Sequence, residues 1–231
     1  MLLRRLLPAR LTLFLLLLAL PGLAQTPALP PAMAQWADEL RAFDRQDTLA
    51  LPPAAPILFY GSSSIRKWTT LAADFAGRPV LNRGFGGSRF VDANYFFERL
   101  VVRYHPRLVV LYEGDNDLAA GATPQQVYES FLAFERLMRA HKTTRNTPVV
   151  FVSLKPSPAR WGIYPQVKAA NQLIRHYIAA HPQHLRFADV ATPMLGANGR
   201  PRPELYEGDS LHMTRAGYQL WTRVLTPYVR K

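Results

Sequence analysis

Five short apolar runs punctuate the chain after residue 50: ILFY (57–60), PVLN (79–82), RLVVLY (107–112), PVVFVSL (148–154) and LRFADV (185–190). Each is continuous, not alternating, and rich in Val, Ile, Leu and Phe. A strand with one wet face alternates in polarity, whereas one buried on both faces does not. The runs therefore predict strands of a parallel sheet. Between them the period changes to that of a helix. At TPQQVYES, Thr123 is the N-cap, Pro124 the first helical residue and Gln126 the partner in a capping box. Val127, Phe131, Phe134 and Met138 then recur on one face. YPQVKAANQLIRHYIAAHP repeats the pattern with Val167, Ile174 and Ile178, and TRAGYQLWTRVLTPYV closes the chain with Thr214 as its cap. Strand–helix alternation of this kind implies an α/β domain with helices on both faces of the sheet.

The first 50 residues read differently. MLLRRLLPARLTLFLLLLALPGLAQ has a basic start, an apolar stretch from Leu11 to Leu20 and small residues at Gly22 and Ala24. This predicts a secretory signal peptide over 1–24, cleaved after Ala24. The competing reading, a retained membrane anchor, needs an apolar stretch of about 20 residues, longer than this one. Residues 25–35 (QTPALPPAMAQ) form a Pro- and Ala-rich linker into a short amphipathic helix ending near Phe43. The division is thus a leader, a linker with N-terminal helix over 25–50, and one catalytic-size domain over 51–231.

Charge and cysteine content remove several function classes. Cleaving the leader takes three arginines and no acids, so the formal charge falls from +12 to +9. A basic surface attracts anionic polymers, but no dense Lys/Arg run is present and the aromatics do not interleave with cations as in a strand-binding protein. No nucleic-acid partner is expected, and solvated surface charge accounts for the excess. The absence of cysteine excludes disulfides, thiolate metal sites, thiol nucleophiles and a cysteine-linked lipid anchor. Without a leader, no stable membrane insertion is expected. Nothing in the sequence specifies an oligomeric state.

Parallel sheets bind ligands beyond the carboxyl ends of their strands, and chemically capable residues follow the apolar runs there. After the first comes Gly61-Ser62-Ser63-Ser64, after the second NRGFGGS (82–88), and after the third EGDND (113–117). GDSLHMT (208–214) follows the last run and a long loop. Taken singly, each cluster is ordinary turn punctuation. Taken together they supply what acyl transfer requires. One of the three serines is a hydroxyl nucleophile that needs a neutral imidazole as base. Asp209 and His212, three residues apart, supply that base and the carboxylate that orients it. The Gly87 N–H and the Asn116 side-chain amide are donors of the kind that stabilise a developing oxyanion, each costing about 2.7–4 kcal/mol when removed.

On these residues the chain, from about Ile57 to its end, resembles the SGNH hydrolases, the GDSL-type esterase and lipase superfamily. The resemblance implies a flavodoxin-like three-layer α/β/α sandwich on a five-stranded parallel sheet, and a short-chain ester hydrolase needing no metal or cofactor. It places the nucleophile at Ser63, the serine of the family's Gly-Asp-Ser block. Asp209 and His212 complete the triad, with Ser63, Gly87 and Asn116 forming the oxyanion hole. Ser62 stands where the family has its aspartate, so local bonding around the turn must differ. Gly-x-Ser-x-Gly is absent, since Ile65 occupies the second glycine position, and the late, close Asp–His pair separates the chain from α/β-hydrolases.

The substrate is then a small-molecule or glycan ester of short acyl length, met outside the cytoplasm in the periplasm or the medium. Two rivals follow from the same residues. One is an O-acyltransferase using the triad. The other is a non-catalytic glycan-binding protein resting on Trp68, Trp161 and the basic surface. In the loop SLKPSPARWGIY (153–164), Lys155, Arg160 and Trp161 are either rim contacts to substrate or internal packing. Arg83 and Arg89 flank the glycine block without an assigned role. A metal site from Asp115, Asp117, His181 and His184 is rejected, for no His-x-His or HExxH spacing exists.

Overall fold

A computed structural model describes residues 29–230 of the 231-residue chain. The predicted leader and the first linker residues lie outside it. A 3₁₀ helix over Pro31–Trp36, inside the segment expected to be linker, runs into helix α1 (Ala37–Leu49). The alternating part follows: β1 (Ile57–Gly61), α2 (Ser63–Arg66), α3 (Leu71–Asp74), β2 (Val80–Gly84), α4 (Phe90–Tyr95), α5 (Phe97–Leu100) and β3 (Leu108–Tyr112). Next come α6 (Asp115–Ala119), α7 (Pro124–Ala140), β4 (Val149–Val152), α8 (Tyr164–Ala180), β5 (Leu185–Ala188) and α9 (Arg215–Leu225). All five apolar runs became strands, paired in parallel in the order β2-β1-β3-β4-β5.

Why the central strands read as continuous apolar runs is visible in their packing. Neighbouring residues on a strand point to opposite faces. On β1, Phe59 faces Trp68 and Phe75, and Trp68 in turn packs on Tyr218 and Trp221 of α9. Tyr60, next in sequence, faces Phe85 and Phe134 of α7 on the other side. Phe151 of β4 meets Phe131 on that same side. Both faces of the sheet are therefore aromatic and dry, and burying each large apolar side chain contributes roughly 1.5–3 kcal/mol. On α7 the predicted capping box is present, Thr123 accepting from the Gln126 N–H, and Val127, Phe131, Phe134 and Met138 are all buried.

Two boundaries differ from expectation. Helix α1 continues past Phe43 to Leu49 because its later acids have partners in the domain. Asp44 pairs with Arg99 at 2.6 Å and Arg103 at 2.7 Å, and Asp47 pairs with the buried Arg83 and accepts from the Tyr104 hydroxyl at 2.7 Å. With Phe43 under the Arg83 guanidinium, α1 lies alongside the β2 edge, where Val80, Leu81 and Asn82 stay half-buried. Strand β5, at the opposite edge, is not buried on both faces. Arg186 is exposed and Phe187 half-buried beneath Arg175.

The chain order sends β2 to one side of β1 and β3 to the other, so a crevice opens at the carboxyl ends of β1 and β3. Gly61 lets those ends close together: a Cβ there would lie 1.9 Å from the Tyr112 carbonyl oxygen, and its φ is +140°. Ser62 then donates its N–H to that same carbonyl at 3.2 Å, which directs the next residues over the crevice.

Candidate active site

Helix α2 begins at the serine triplet, and its phase separates the three. Ser62 is the N-cap and its carbonyl accepts from the Ile65 and Arg66 N–H groups. Ser64 is buried and its Oγ accepts from the Lys155 ammonium at 3.1 Å. Only Ser63 points its hydroxyl out of the turn, where Oγ lies 3.0 Å from His212 Nε2.

His212 reaches Ser63 from a loop braced on itself. Tyr206 and Met213 form an antiparallel bridge, the Glu207 N–H donates to the His212 carbonyl at 2.8 Å, and Ser210 turns the chain at φ +57°. Asp209 Oδ2 stands 2.5 Å from His212 Nδ1, while Oδ1 accepts the Leu211 and His212 N–H groups, both at 2.9 Å. The histidine contact, then the two backbone donors, hold the Asp209 carboxyl well below its usual range. An ionised Asp209 accepts from Nδ1–H, so Nε2 carries the lone pair that faces Ser63. The arrangement can take a proton from the Ser63 hydroxyl.

The three expected oxyanion donors come from the segments that follow β1, β2 and β3. Among the described residues neither the Ser63 nor the Gly87 N–H has an acceptor, and Gly87 is exposed. Asn116, on the first turn of α6, gives one amide hydrogen to the Ser88 carbonyl at 2.8 Å and has a second to spare. Its Oδ1 accepts from Arg160 Nη2 at 2.8 Å, which fixes which end of the amide faces the crevice.

Behind these groups lies a charged network that the sequence did not reveal. Lys155 is buried and donates to Ser64, to the Tyr112 hydroxyl at 3.3 Å and to Asp115 Oδ2 at 3.1 Å. Asp115 Oδ1 also receives Arg160 Nη1 at 2.5 Å. Burial pushes the Asp115 carboxyl up, but the Lys155 and Arg160 cations outweigh it and hold the group below its usual range. Burial pulls the Lys155 ammonium down, only partly opposed by Asp115. The network ties the Ser64 hydroxyl to the Asn116 amide, so it joins the β1 and β3 sides of the crevice. Glu113, also buried, accepts from the Ser88 hydroxyl at 2.9 Å. Its carboxyl is pushed well above its usual range by burial and then by Asp117. Through Ser88 it braces the glycine block from below.

Several sequence candidates are placed elsewhere. Lys155 is not on the rim, and Arg160 is turned inward to Asp115 and Asn116. Trp161 is stacked on Tyr164 at 4.5 Å and lies against the Arg200 guanidinium at 5.1 Å. Trp68 is a core residue, 1% exposed, and donates to Asp74 at 2.7 Å. Trp68 is thus out of reach of a saccharide, whereas Trp161 is half-buried and lines a surface pocket with Tyr164 and Lys168. Arg83 is buried against Asp47, and Arg89 lies 3.8 Å from Asp92. The acids and histidines weighed for metal are scattered. Asp117 accepts the Phe90 N–H at 3.2 Å and His181 Nδ1 meets the Tyr177 carbonyl. Among the described residues no group of three or more His, Asp or Glu could hold a metal ion, and none of their helices is long and apolar enough to cross a membrane.

Comparison with known proteins bears on the family and the fold. The model of the GDSL-like Lipase/Acylhydrolase family matches residues 54–220. Among solved structures, a GDSL-like lipase from Bacteroides thetaiotaomicron is similar at 20% identity over 82% of this chain and 96% of that one, with a TM-score of 0.70. A protein of Streptococcus pneumonia is similar at 18% identity over 86% and 95%, TM-score 0.73. A lipase/acylhydrolase from Enterococcus faecalis is similar at 18% over 76% and 95%, TM-score 0.61. These likenesses show a shared fold. No curated protein matches the sequence. The family match takes in the whole sheet and every segment that meets at the crevice, and so the chain belongs to the GDSL-like lipase/acylhydrolase family, the SGNH-type serine hydrolases.

Proposed function

We propose that the protein is an exported esterase that removes short acyl groups, of acetyl type, from small-molecule or carbohydrate esters through a Ser63 acyl-enzyme. The observation that carries this reading is the unbroken contact chain Ser63 Oγ–His212–Asp209, at 3.0 and 2.5 Å. Ser63 Oγ attacks the ester carbonyl carbon as its proton passes to His212 Nε2, with Asp209 ionised behind the imidazolium. The carbonyl oxygen becomes an oxyanion held by the Ser63 and Gly87 N–H groups and the free amide hydrogen of Asn116. When the tetrahedral adduct collapses, His212 gives the proton to the departing alkoxide and the alcohol leaves. Water then repeats the sequence on the acyl-serine: His212 takes its proton, hydroxide adds, and the acid departs as Ser63 regains its hydrogen.

Preference for a short acyl group is supported by the polarity around Ser63. Ser63 Oγ meets His212, and behind it stands the Asp209 carboxylate, whose side chain is 45% exposed, while the residues after β3 and β4 add the polar pair Asn116 and Arg160. A long acyl chain needs an apolar trough to leave water. Export to the periplasm or the medium is supported by the leader pattern over 1–24. The test is turnover of p-nitrophenyl acetate by wild type and Ser63→Ala, with p-nitrophenyl palmitate alongside. Acetate hydrolysis abolished by the substitution, and exceeding palmitate hydrolysis in wild type, is the expected result. Equal acetate rates in both proteins would remove the nucleophile.

A further inference from the structure

We propose that Trp36 is a positioning residue for the oxyanion hole, acting from the N-terminal segment that the family match leaves out. The inference rests on the reading of Gly87 as an oxyanion donor. The donor N–H of Gly87 belongs to the peptide unit whose carbonyl is that of Gly86, and in a trans peptide the two point in opposite directions. The indole N–H of Trp36 donates to that Gly86 carbonyl at 2.8 Å. Holding the oxygen thus sets the direction of the hydrogen that meets substrate.

The peptide needs such a hold. With glycine on both sides, turning the Gly86–Gly87 unit over changes only ψ of one glycine and φ of the other, a motion that glycine permits at little cost. Gly87 already sits at φ +74° with nothing within 4 Å of a Cβ position, so packing does not lock it. At Gly86 a Cβ would meet only the movable end of the half-exposed Arg66 side chain, 2.7 Å from its guanidinium carbon. The preceding peptide is held from the adjoining helix α1. Both Glu39 carboxylate oxygens lie 3.2 Å from the Gly86 N–H, and Oε1 also receives Arg66 Nη1 at 2.7 Å. The two peptide planes that meet at Gly86 are therefore both tied to residues 36–39. Trp36 is itself fixed, 3% exposed, with its ring edge-on to Phe85 at 5.6 Å and Phe96 at 6.1 Å.

The discriminating variant is Trp36→Phe, which keeps an aromatic ring in the Phe85/Phe96 cluster and deletes only the donor. With p-nitrophenyl acetate, kcat should fall about 10- to 100-fold, up to the loss of one oxyanion donor, with KM within about threefold. The inhibition constant of a trifluoromethyl ketone, which adds to the serine and places its own oxyanion in the hole, should weaken by the same factor as kcat/KM. Phe96→Leu, which loosens the same cluster without touching Gly86, serves as the packing control and should lower the melting temperature while leaving kcat within twofold. The proposal is overturned if Trp36→Phe keeps kcat within twofold of wild type, or if Phe96→Leu reproduces its loss. Ser63→Ala in the same series separates the outcomes. An active Ser63→Ala sinks the esterase mechanism, whereas an inactive Ser63→Ala beside a fully active Trp36→Phe sinks only the role of Trp36.

Discussion

Arg160→Met removes a guanidinium that touches two parts of the site at once, and the structure allows the two losses to be separated. The side chain is 18% exposed and bridges Asp115 Oδ1 and Asn116 Oδ1, at 2.5 and 2.8 Å. Asp115 is not left alone by the substitution, since Oδ2 keeps Lys155 at 3.1 Å and the Tyr112 hydroxyl at 3.0 Å. The fold should therefore survive with a loss near one charge-assisted hydrogen bond, about 1.5–3 kcal/mol. Asn116 keeps its bond to the Ser88 carbonyl but loses the partner that fixes its oxygen. Complete loss of an oxyanion donor costs about 2.7–4 kcal/mol. With one edge of the amide still held, a loss of about 1–2 kcal/mol is expected, which lowers kcat roughly 5- to 30-fold. Arg160→Lys restores a cation beside Asp115 but not the fork that reaches Asn116, so it should recover the melting temperature more fully than kcat. The assay is steady-state hydrolysis of p-nitrophenyl acetate with thermal unfolding on the same samples. A kcat within twofold of wild type for Arg160→Met would refute the reasoning, as would full recovery of kcat by lysine.

Two stability experiments probe the ground beneath the site. The Asp117 carboxyl is pushed up to about 6 from 3.8, chiefly by burial. Below pH 3.8 both folded and unfolded forms carry the proton. Between there and 6 only the folded form keeps it, so stability falls as pH rises and the full cost, roughly 3 kcal/mol, is present above 6. Asp117→Asn should therefore gain on wild type in denaturant titrations between pH 4 and 7, and an offset constant across that range would contradict the assignment. Gly61→Ala would place a Cβ 1.9 Å from the Tyr112 carbonyl oxygen at φ +140°, so unfolding should come earlier by about 3 kcal/mol or more. Unchanged denaturation would show that β1 and β3 do not close as described.

What the sequence disclosed and what it hid have physical causes. The strands were legible because burial on both faces leaves an uninterrupted apolar run, and α7 because its capping box is a local signal. The end of α1 was not, since Asp44 and Asp47 gain their value from Arg99, Arg103 and Arg83, far along the chain. The pairing of Asp209 with His212 was legible from a three-residue spacing. Spacing left Ser62, Ser63 and Ser64 open and the family resemblance pointed to Ser63, while the phase of a four-residue helix, which no periodicity of that length reveals, separates the three. Lys155 stood open between rim contact and internal packing because its buried partner, Asp115, follows a different strand. Trp36 directly follows the Pro- and Ala-rich stretch that reads as linker, and its hydrogen-bond partner is a backbone carbonyl, which leaves no mark on sequence at all.

The most direct measurement is covalent: incubate the protein with a fluorophosphonate and locate the adduct by peptide mass spectrometry. One label per chain on Ser63, lost in Ser63→Ala and formed much more slowly in His212→Ala, is the expected result. A label on Ser62 or Ser64, or undiminished labelling without His212, would contradict the assignment of a hydroxyl and an imidazole to one reacting carbonyl.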